Sequence, residues 1–328
     1  MKTLITGATG FIGSHVVDIL NQTDTDIVCI ARPTSDLRWL QGKNVSIVNA
    51  SLDNPESLIP AVQNADMIIH VAGLTAARNE AEFLKGNRDA TRNLLEIASK
   101  HAPNLQRFLH VSSQTVTGPS PSLIEPVHEE SPLRPITAYG RSKKAAEEVV
   151  LSYADTLPIT IVRPPAVYGE RDTAVLTFFQ SVAKGIVPLI GFDEKRVSLI
   201  HGIDLARGIV ESAYSSHTIG QTYFISSEEY YSWKHISDIT KDAFGKSFVL
   251  PIRVPHAMVM TLAGISQFFG QFSAKPPVLN FEKGKDLIQP YWICSVEKAK
   301  RDFGWRQNIS IEEGIERTVR WYIDNKWV

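Results

Sequence analysis

Through the first 165 residues, short apolar runs alternate with helix-length amphipathic runs. Apolar runs without strict polar alternation mark strands buried on both faces, and the amphipathic stretches between them mark helices that cover those faces. The pattern predicts strands at Thr3–Thr6, Ile27–Ala31, Val45–Asn49, Met67–Val71, Arg107–Ser112 and Ile159–Arg163. Helices are expected to start near Phe11, Pro55, Asn87 and Thr137, with Gly or Pro turns between many elements. Six such strands make an α/β fold, a doubly wound parallel sheet whose ligand crevice lies beyond the carboxyl ends of the strands.

After Arg163 the pattern loosens. Pro164, Pro165, Pro188, Pro251, Pro255, Pro276, Pro277 and Pro290 cut the chain into short elements that do not extend a regular βαβ series. The expected division is a dinucleotide-binding part at 1–165 and a smaller, mainly substrate-binding part at 166–328. The second part is discontinuous, because Gln221–Ile225 reads as a strand returning to the first sheet. The most apolar late stretch, Val254 to Phe272, is interrupted by His256, Gly264, Ser266 and Gln267. A membrane span needs about 20 apolar residues, so this stretch is expected to be a buried or pocket-covering helix.

Composition narrows the partners. The chain has 328 residues with 34 Lys+Arg against 35 Asp+Glu, a formal charge of −1, and no basic run that would track a phosphate backbone. With 21% charged and 43% hydrophobic residues it can bury a full core, so a soluble protein is expected. Cys29 and Cys294 are too few and too far apart for a disulfide framework or a zinc site, which fits a reducing, cytoplasmic location. The N-terminal MKTLITGATGFIG reads as a strand and turn, not as a targeting signal.

The first predicted strand runs into Gly7-Ala8-Thr9-Gly10-Phe11-Ile12-Gly13, followed by an apolar-periodic helix through Val16, Val17 and Leu20. Gly7 permits a sharp turn, Gly10 lets a pyrophosphate approach the backbone, and Gly13 lets helix and strand pack closely. The helix N-terminus offers free N–H donors to the phosphates. At the end of the second strand, where NAD sites place an acid on the ribose 2′-hydroxyl, stand Ala31 and Arg32, with Asp36 and Arg38 just beyond. Arg32 suits a 2′-phosphate, so NADP is expected over NAD. The bland alternative is a solvated loop arginine and an enzyme that accepts both.

Tyr139 and Lys143 lie four apart in TAYGRSKKAAEE, on one face of a predicted helix. A free tyrosine titrates near 10, and nearby positive charge from Lys143 and an oxidised nicotinamide is expected to draw it down for proton transfer. Ser113 follows the strand Arg107–Ser112 and faces the same crevice, where its hydroxyl is expected to hold the substrate oxygen. Taken singly, each of the three has an ordinary structural reading; together with the glycine turn they converge on one crevice.

At this point the motifs carry a family resemblance. TGATGFIG, VAGLTAA, GNRDATRNLL, VSSQTVTG, YGRSK, VRPPAVYG and LIHGIDLARG stand in the order and spacing of the extended short-chain dehydrogenase/reductase superfamily, and KAKRDFGWRQNISIEEGIERTVRWY resembles its closing helices. The resemblance covers nearly the whole chain. It implies a Rossmann domain, a catalytic set of Ser113, Tyr139 and Lys143, and hydride transfer at a nicotinamide. It also implies cofactor contacts at Phe11, Ile12, Leu52, Ala72, Gly73 and Asn87, beside those of Gly7, Gly10, Gly13, Arg32, Tyr139 and Lys143. A homodimer through the helices beginning near Asn87 and Thr137 is a further implication.

Departures from the epimerase branch narrow the substrate. Ala31 replaces the expected acid, and Ser51 an aspartate that commonly meets adenine. Ala166 stands where sugar-nucleotide members carry an asparagine, and Val197 where they carry a basic residue, with Arg196 one position out of step. Gln114 and Thr115 replace the Asp-Glu pair of dehydratases, which removes the carboxylate base. What remains resembles the dihydroflavonol reductase and 3β-hydroxysteroid dehydrogenase branch. The expected activity is an NADP-dependent interconversion of a secondary alcohol and a ketone on a small, partly apolar substrate. The alternatives are an NAD-dependent sugar epimerase and a dinucleotide-binding sensor without turnover.

Met260, Phe268 and Phe269 are candidates to roof the pocket, and Phe178, Phe179, Tyr230, Tyr231 and Trp233 carry the same choice between pocket and core. His70, His110 and His201 lie outside metal-ligand spacings and read as structural. Arg171 and Asp172 read either as pocket residues or as a surface ion pair.

Overall fold

The computed structural model describes residues 1–270 and 280–328; Pro276, Pro277 and the side chain of Phe269 fall outside the described residues. Seven parallel strands build the main sheet: β1 (Lys2–Thr6), β2 (Asp26–Ala31), β3 (Ser46–Asn49), β4 (Met67–His70), β5 (Arg107–Val111), β6 (Ile159–Arg163) and β7 (Gln221–Phe224). Across the sheet they run β7, β6, β5, β4, β1, β2, β3. Chain order reverses between β1 and β4, where Thr6 lies opposite His70, and that reversal opens a crevice beyond the strand ends.

Side chains of successive strand residues enter opposite cores. Leu4, Val28, Ile30, Ile68, Phe108 and Ile161 meet Leu58, Leu94, Leu95 and Val150 on one face. Five helices cover the two faces: α1 (Phe11–Leu20), α2 (Pro55–Val62), α3 (Ala90–His101), α4 (Ala138–Leu151) and α5 (Gly202–Tyr214). The helices α2, α3 and α4 cover the first face, and α1 and α5 cover the second, where Ile5, Cys29, Ile69, Leu109 and Val162 meet Val16, Leu20, Leu205 and Ile209. Period-two alternation into two apolar layers is why these strands read as continuous apolar runs. The sheet is therefore the doubly wound Rossmann type expected.

One helix start differs from expectation. The helix expected near Asn87 begins at Glu80, where the Asn79 side chain accepts a hydrogen bond from the Glu82 N–H at 2.9 Å. It passes through a wider turn at Lys85–Asp89 before continuing as α3. Asn79 followed three residues later by Glu82 is a start signal.

A third core joins distant parts of the later chain. Tyr168, Phe179, Val197, Leu199, Tyr231 and Ile236 pack with Ile311, Ile315, Val319 and Tyr322 of the closing helix Ile311–Asp324. Phe178 and Trp233 lie against it with ring centroids 5.7 Å apart, so four of the five ambiguous aromatics are core. The helix His256–Gly270 carries no charged residue; it lays Met260 and Ala263 on Gly284 and exposes Met258, Leu262, Ile265 and Phe268. Among the described residues no helix is long and apolar enough to cross a membrane.

A buried ion pair ties α4 to the sheet. Arg163 at the end of β6 donates two hydrogen bonds to Glu147, at 2.9 and 2.7 Å, with side chains 5% and 0% exposed. Removing one partner of such a pair strands the other charge in the core. Glu147→Ala is expected to cost about 3 to 5 kcal/mol in chemical denaturation, and a loss below about 1 kcal/mol would show that the pair does not anchor the helix.

Candidate active site

The turn after β1 is built by exclusion. Gly7 has φ +73°, and a Cβ there would fall 2.7 Å from the backbone nitrogen of Ala72. A Cβ on Gly13 would run into the Gly7 carbonyl, so strand and helix meet at a distance only glycine allows. The Gly10 N–H donates to Gly7 O at 3.0 Å. Helix α1 has no side-chain cap at Gly10 and no acid in its first turn, leaving its N–H groups and partial positive charge for an anion. The Phe11 ring packs where Gly202 has no side chain, at the start of α5. These features fit the pyrophosphate of a dinucleotide.

The loop after β4 is held over the same end of the sheet. Ala72 N–H donates to Thr6 Oγ1 at 3.2 Å, and Leu74 N–H donates to Asn87 Oδ1 at 2.7 Å. Asn87 Nδ2 donates to Leu74 O at 3.1 Å and to Ser142 Oγ at 2.8 Å. Asn87 is 2% exposed, so its amide links this loop to α4. A Cβ on Gly73 would lie 3.0 Å from Asn87 Oδ1 and 3.8 Å from Lys143 Nζ. Near β3, the Leu52 carbonyl accepts from Asn93 Nδ2 at 2.7 Å. Arg32, just past β2, is exposed and makes no ion pair among the described residues, whereas Asp36 and Arg38 pair with each other at 2.5 Å.

Ser113, Tyr139 and Lys143 come together at the carboxyl end of β5. The Gln114 N–H donates to the Pro164 carbonyl at 2.8 Å, which sets a tight helical turn at Gln114–Val116 with Ser113 as its cap. Ser113 Oγ accepts from the Thr115 N–H at 3.2 Å and from the Thr115 hydroxyl at 3.0 Å, and it lies near enough to the Tyr139 phenol to act on its ionisation. Thr137 caps α4, its hydroxyl accepting from Gly140 N–H at 3.1 Å, so Tyr139 sits in the first turn.

Lys143 Nζ donates to the Val111 carbonyl at 2.8 Å, and burial lowers its pKa to about 8, partly offset by Glu147. Burial raises the Tyr139 phenol to about 12; Ser113 opposes this, and the Asp286 charge adds to it. Burial thus dominates at Tyr139 in the protein's own field, and the Lys143 ammonium is turned to a backbone carbonyl.

Other candidates are placed elsewhere. His70 bonds Thr6 Oγ1 at 2.7 Å and Thr91 Oγ1 at 2.9 Å, and burial with Lys143 nearby lowers it to about 3. The same causes hold His110 neutral. His201 Nε2 lies 3.0 Å from Glu170. Arg171 pairs with Asp18 at 2.8 Å, and Asp172 accepts from the Ala174 and Val175 N–H groups, so the two do not pair with each other. Arg196 pairs with Glu194 at 2.5 Å. Among the described residues no three His, Cys, Asp or Glu side chains converge as a metal site. Asp286, close enough to act on Tyr139, is absent from the sequence-based expectations; a lone acid beside an apolar segment gave no local sign of it.

A phosphate-ready turn at the switch point of a doubly wound sheet defines a dinucleotide-binding α/β protein. The chain belongs to the NAD dependent epimerase/dehydratase family, which it matches over residues 3–226, and this is a family of NAD(P)-dependent enzymes. It is 29% identical over 326 residues to the ceramide reductase of Caulobacter vibrioides, covering 99% of this chain and 95% of that one. It is 25% identical over 338 residues to a putative UDP-glucose 4-epimerase of Methanocaldococcus jannaschii, covering 98% of each. The crystal structure of DesIV, a dTDP-glucose 4,6-dehydratase from Streptomyces venezuelae with NAD and TYD bound, shares the fold at TM-score 0.81 and 24% identity, over 99% of this chain and 98% of that one.

Gly13→Ala is expected to weaken NADH and NADPH binding at least tenfold, about 1.4 kcal/mol, in a fluorescence titration. Gly264→Ala, where a Cβ meets nothing within 4 Å, provides the comparison; equal affinities in the two variants would refute the turn as the phosphate site.

Proposed function

We propose that the protein is an NADP-dependent oxidoreductase that interconverts a secondary alcohol and a ketone on a small, partly apolar substrate. The observation that carries this is the convergence of Ser113, Tyr139 and Lys143 at the end of β5, beside the glycine turn. When bound, the dinucleotide supplies or accepts the hydride. Gly7, Gly10, Phe11, Ile12 and Gly13 would hold its pyrophosphate, Arg32 its 2′-phosphate, Leu52 its adenosine side, and Ala72, Gly73, Asn87, Tyr139 and Lys143 its nicotinamide side. Ser113 orients the carbonyl oxygen, and Tyr139 donates the proton to it. A phenol held near 12 rests protonated at neutral pH, as a proton donor for carbonyl reduction must. Lys143 lies on the same helix face, one turn along, and steadies the ribose and the developing phenolate.

Several residues support a ketone over a sugar nucleotide. Ala166 has no amide to offer, and Arg196 is already paired with Glu194. Gln114 cannot act as a carboxylate base. The ceramide reductase relative points the same way. The family's name and the epimerase relative favour the second reading, a sugar-nucleotide epimerase that keeps NAD bound.

Titration of the purified protein is expected to give NADPH affinity at least tenfold above that for NADH, and Arg32→Glu to abolish that preference. Tightly retained NAD would make the epimerase the better reading. Tyr139→Phe should lower turnover by about 10²- to 10⁴-fold with dinucleotide affinity preserved, and full turnover in that variant would remove Tyr139 from the chemistry.

A further inference from the structure

The helix Phe281–Ile288 is fastened at both ends and on one side. At its start the Asn280 side chain accepts from the Lys283 N–H at 2.8 Å. Glu282 Oε2 accepts from the Ala138 N–H at 2.5 Å, at the first residue of α4, and lies 3.7 Å from the Arg141 guanidinium. At its end the buried Lys195 ammonium donates to the Ile288 carbonyl at 2.8 Å and the Gln289 carbonyl at 3.2 Å. Gly284, on the opposite face, lets Met260 and Ala263 press close. Glu282 and Asp286 are four apart and share the face turned to α4. Since Glu282 grips Ala138, the neighbour of Tyr139, Asp286 one turn further on lies close enough for its charge to act on the phenol.

That carboxyl is left unmatched. Among the described residues Asp286 Oδ1, closed off from solvent, has no hydrogen-bond partner, and Asp286 makes no ion pair. Its backbone carbonyl accepts from Trp292 Nε1 at 3.0 Å. Glu170 Oε2, likewise without a hydrogen bond, faces His201 at 3.0 Å. An unpaired buried acceptor is costly, and its place beside a candidate proton donor gives the cost a use. Burial moves Asp286 up to about 6, with Lys283 pulling down and Glu282 pushing up, so it is mostly ionised at neutral pH.

We propose that Asp286 is a substrate-binding carboxylate that accepts a hydrogen bond from a hydroxyl or amine on the substrate, so that the preferred ketone carries a second donor near its carbonyl. This rests on the reductase reading of the same site. An ionised carboxylate only accepts hydrogen bonds, so a donor is what it selects. The ketone oxygen goes to Ser113 and Tyr139, the donor goes to Asp286, and a ketone without the donor leaves Oδ1 unpaired. Sites that hydrogen-bond a substrate hydroxyl discriminate strongly against analogues that lack it.

The test uses the full chain with NADPH and medium-chain acyclic ketones, each with and without a hydroxyl on the adjacent carbon. Wild type is expected to favour the hydroxyketones by at least about tenfold in kcat/KM, Asp286→Leu to bring the ratio to about one, and Asp286→Asn, whose amide oxygen still accepts, to fall between. Calorimetric binding of the same ketones to the complex with oxidised dinucleotide should follow the same order. An equal ratio in wild type and Asp286→Leu overturns the role of Asp286 while leaving the reductase standing. Failure of wild type to reduce either series overturns the reading beneath it, before any variant is compared.

Discussion

The close approach of backbone to backbone at the head of β1 is the constraint on which the rest of the crevice depends. Gly7 must turn at positive φ against Ala72, and Gly13 must sit against the Gly7 carbonyl. Both contacts exclude side chains, and together they bring the N-terminus of α1, the end of β1 and the loop after β4 to one point. The reversal of strand order between β1 and β4 lies at the same place. A helix terminus with free N–H groups and a gap in the sheet thereby become one site.

Helix α4 is the second fixed body. Glu147 is paired with Arg163 in the core, Lys143 is tied to the Val111 carbonyl, and Ser142 is joined to Asn87. These ties hold Tyr139 in the first turn, where the Ser113 hydroxyl lies near it. The same burial that fixes the side chains sets their charge states, raising the phenol and lowering the ammonium. Against the first turn of α4, the helix Phe281–Ile288 is braced by Glu282 and Lys195 rather than by apolar packing alone. Its neighbour, the uncharged helix His256–Gly270, exposes apolar side chains beside it.

Much of the architecture was legible along the chain because burial on both faces of a parallel sheet is a local property. Each apolar run records it without reference to the others, as do Thr137 at the head of α4 and the glycines after β1. The spacing of Tyr139 and Lys143 also predicted that they share a helix face. The start of the helix at Glu80 was also written in the sequence, in Asn79 and Glu82. By contrast, nothing near Glu147 announces Arg163, and nothing near Asp286 announces Tyr139.

The sequence by itself therefore determined the layers, the phosphate turn and the three polar residues that line the end of β5. Only the tertiary structure decided which way Lys143 turns, how the phenol ionises, and which acid stands before it. The reason is physical: periodicity and glycine conformation act within a few residues, whereas desolvation and Coulomb forces depend on whatever the fold brings near. Tyr139 and Asp286 are 147 positions apart in the chain, and the Asp286 charge reaches the phenol through a fold in which Glu282 meets the first turn of α4.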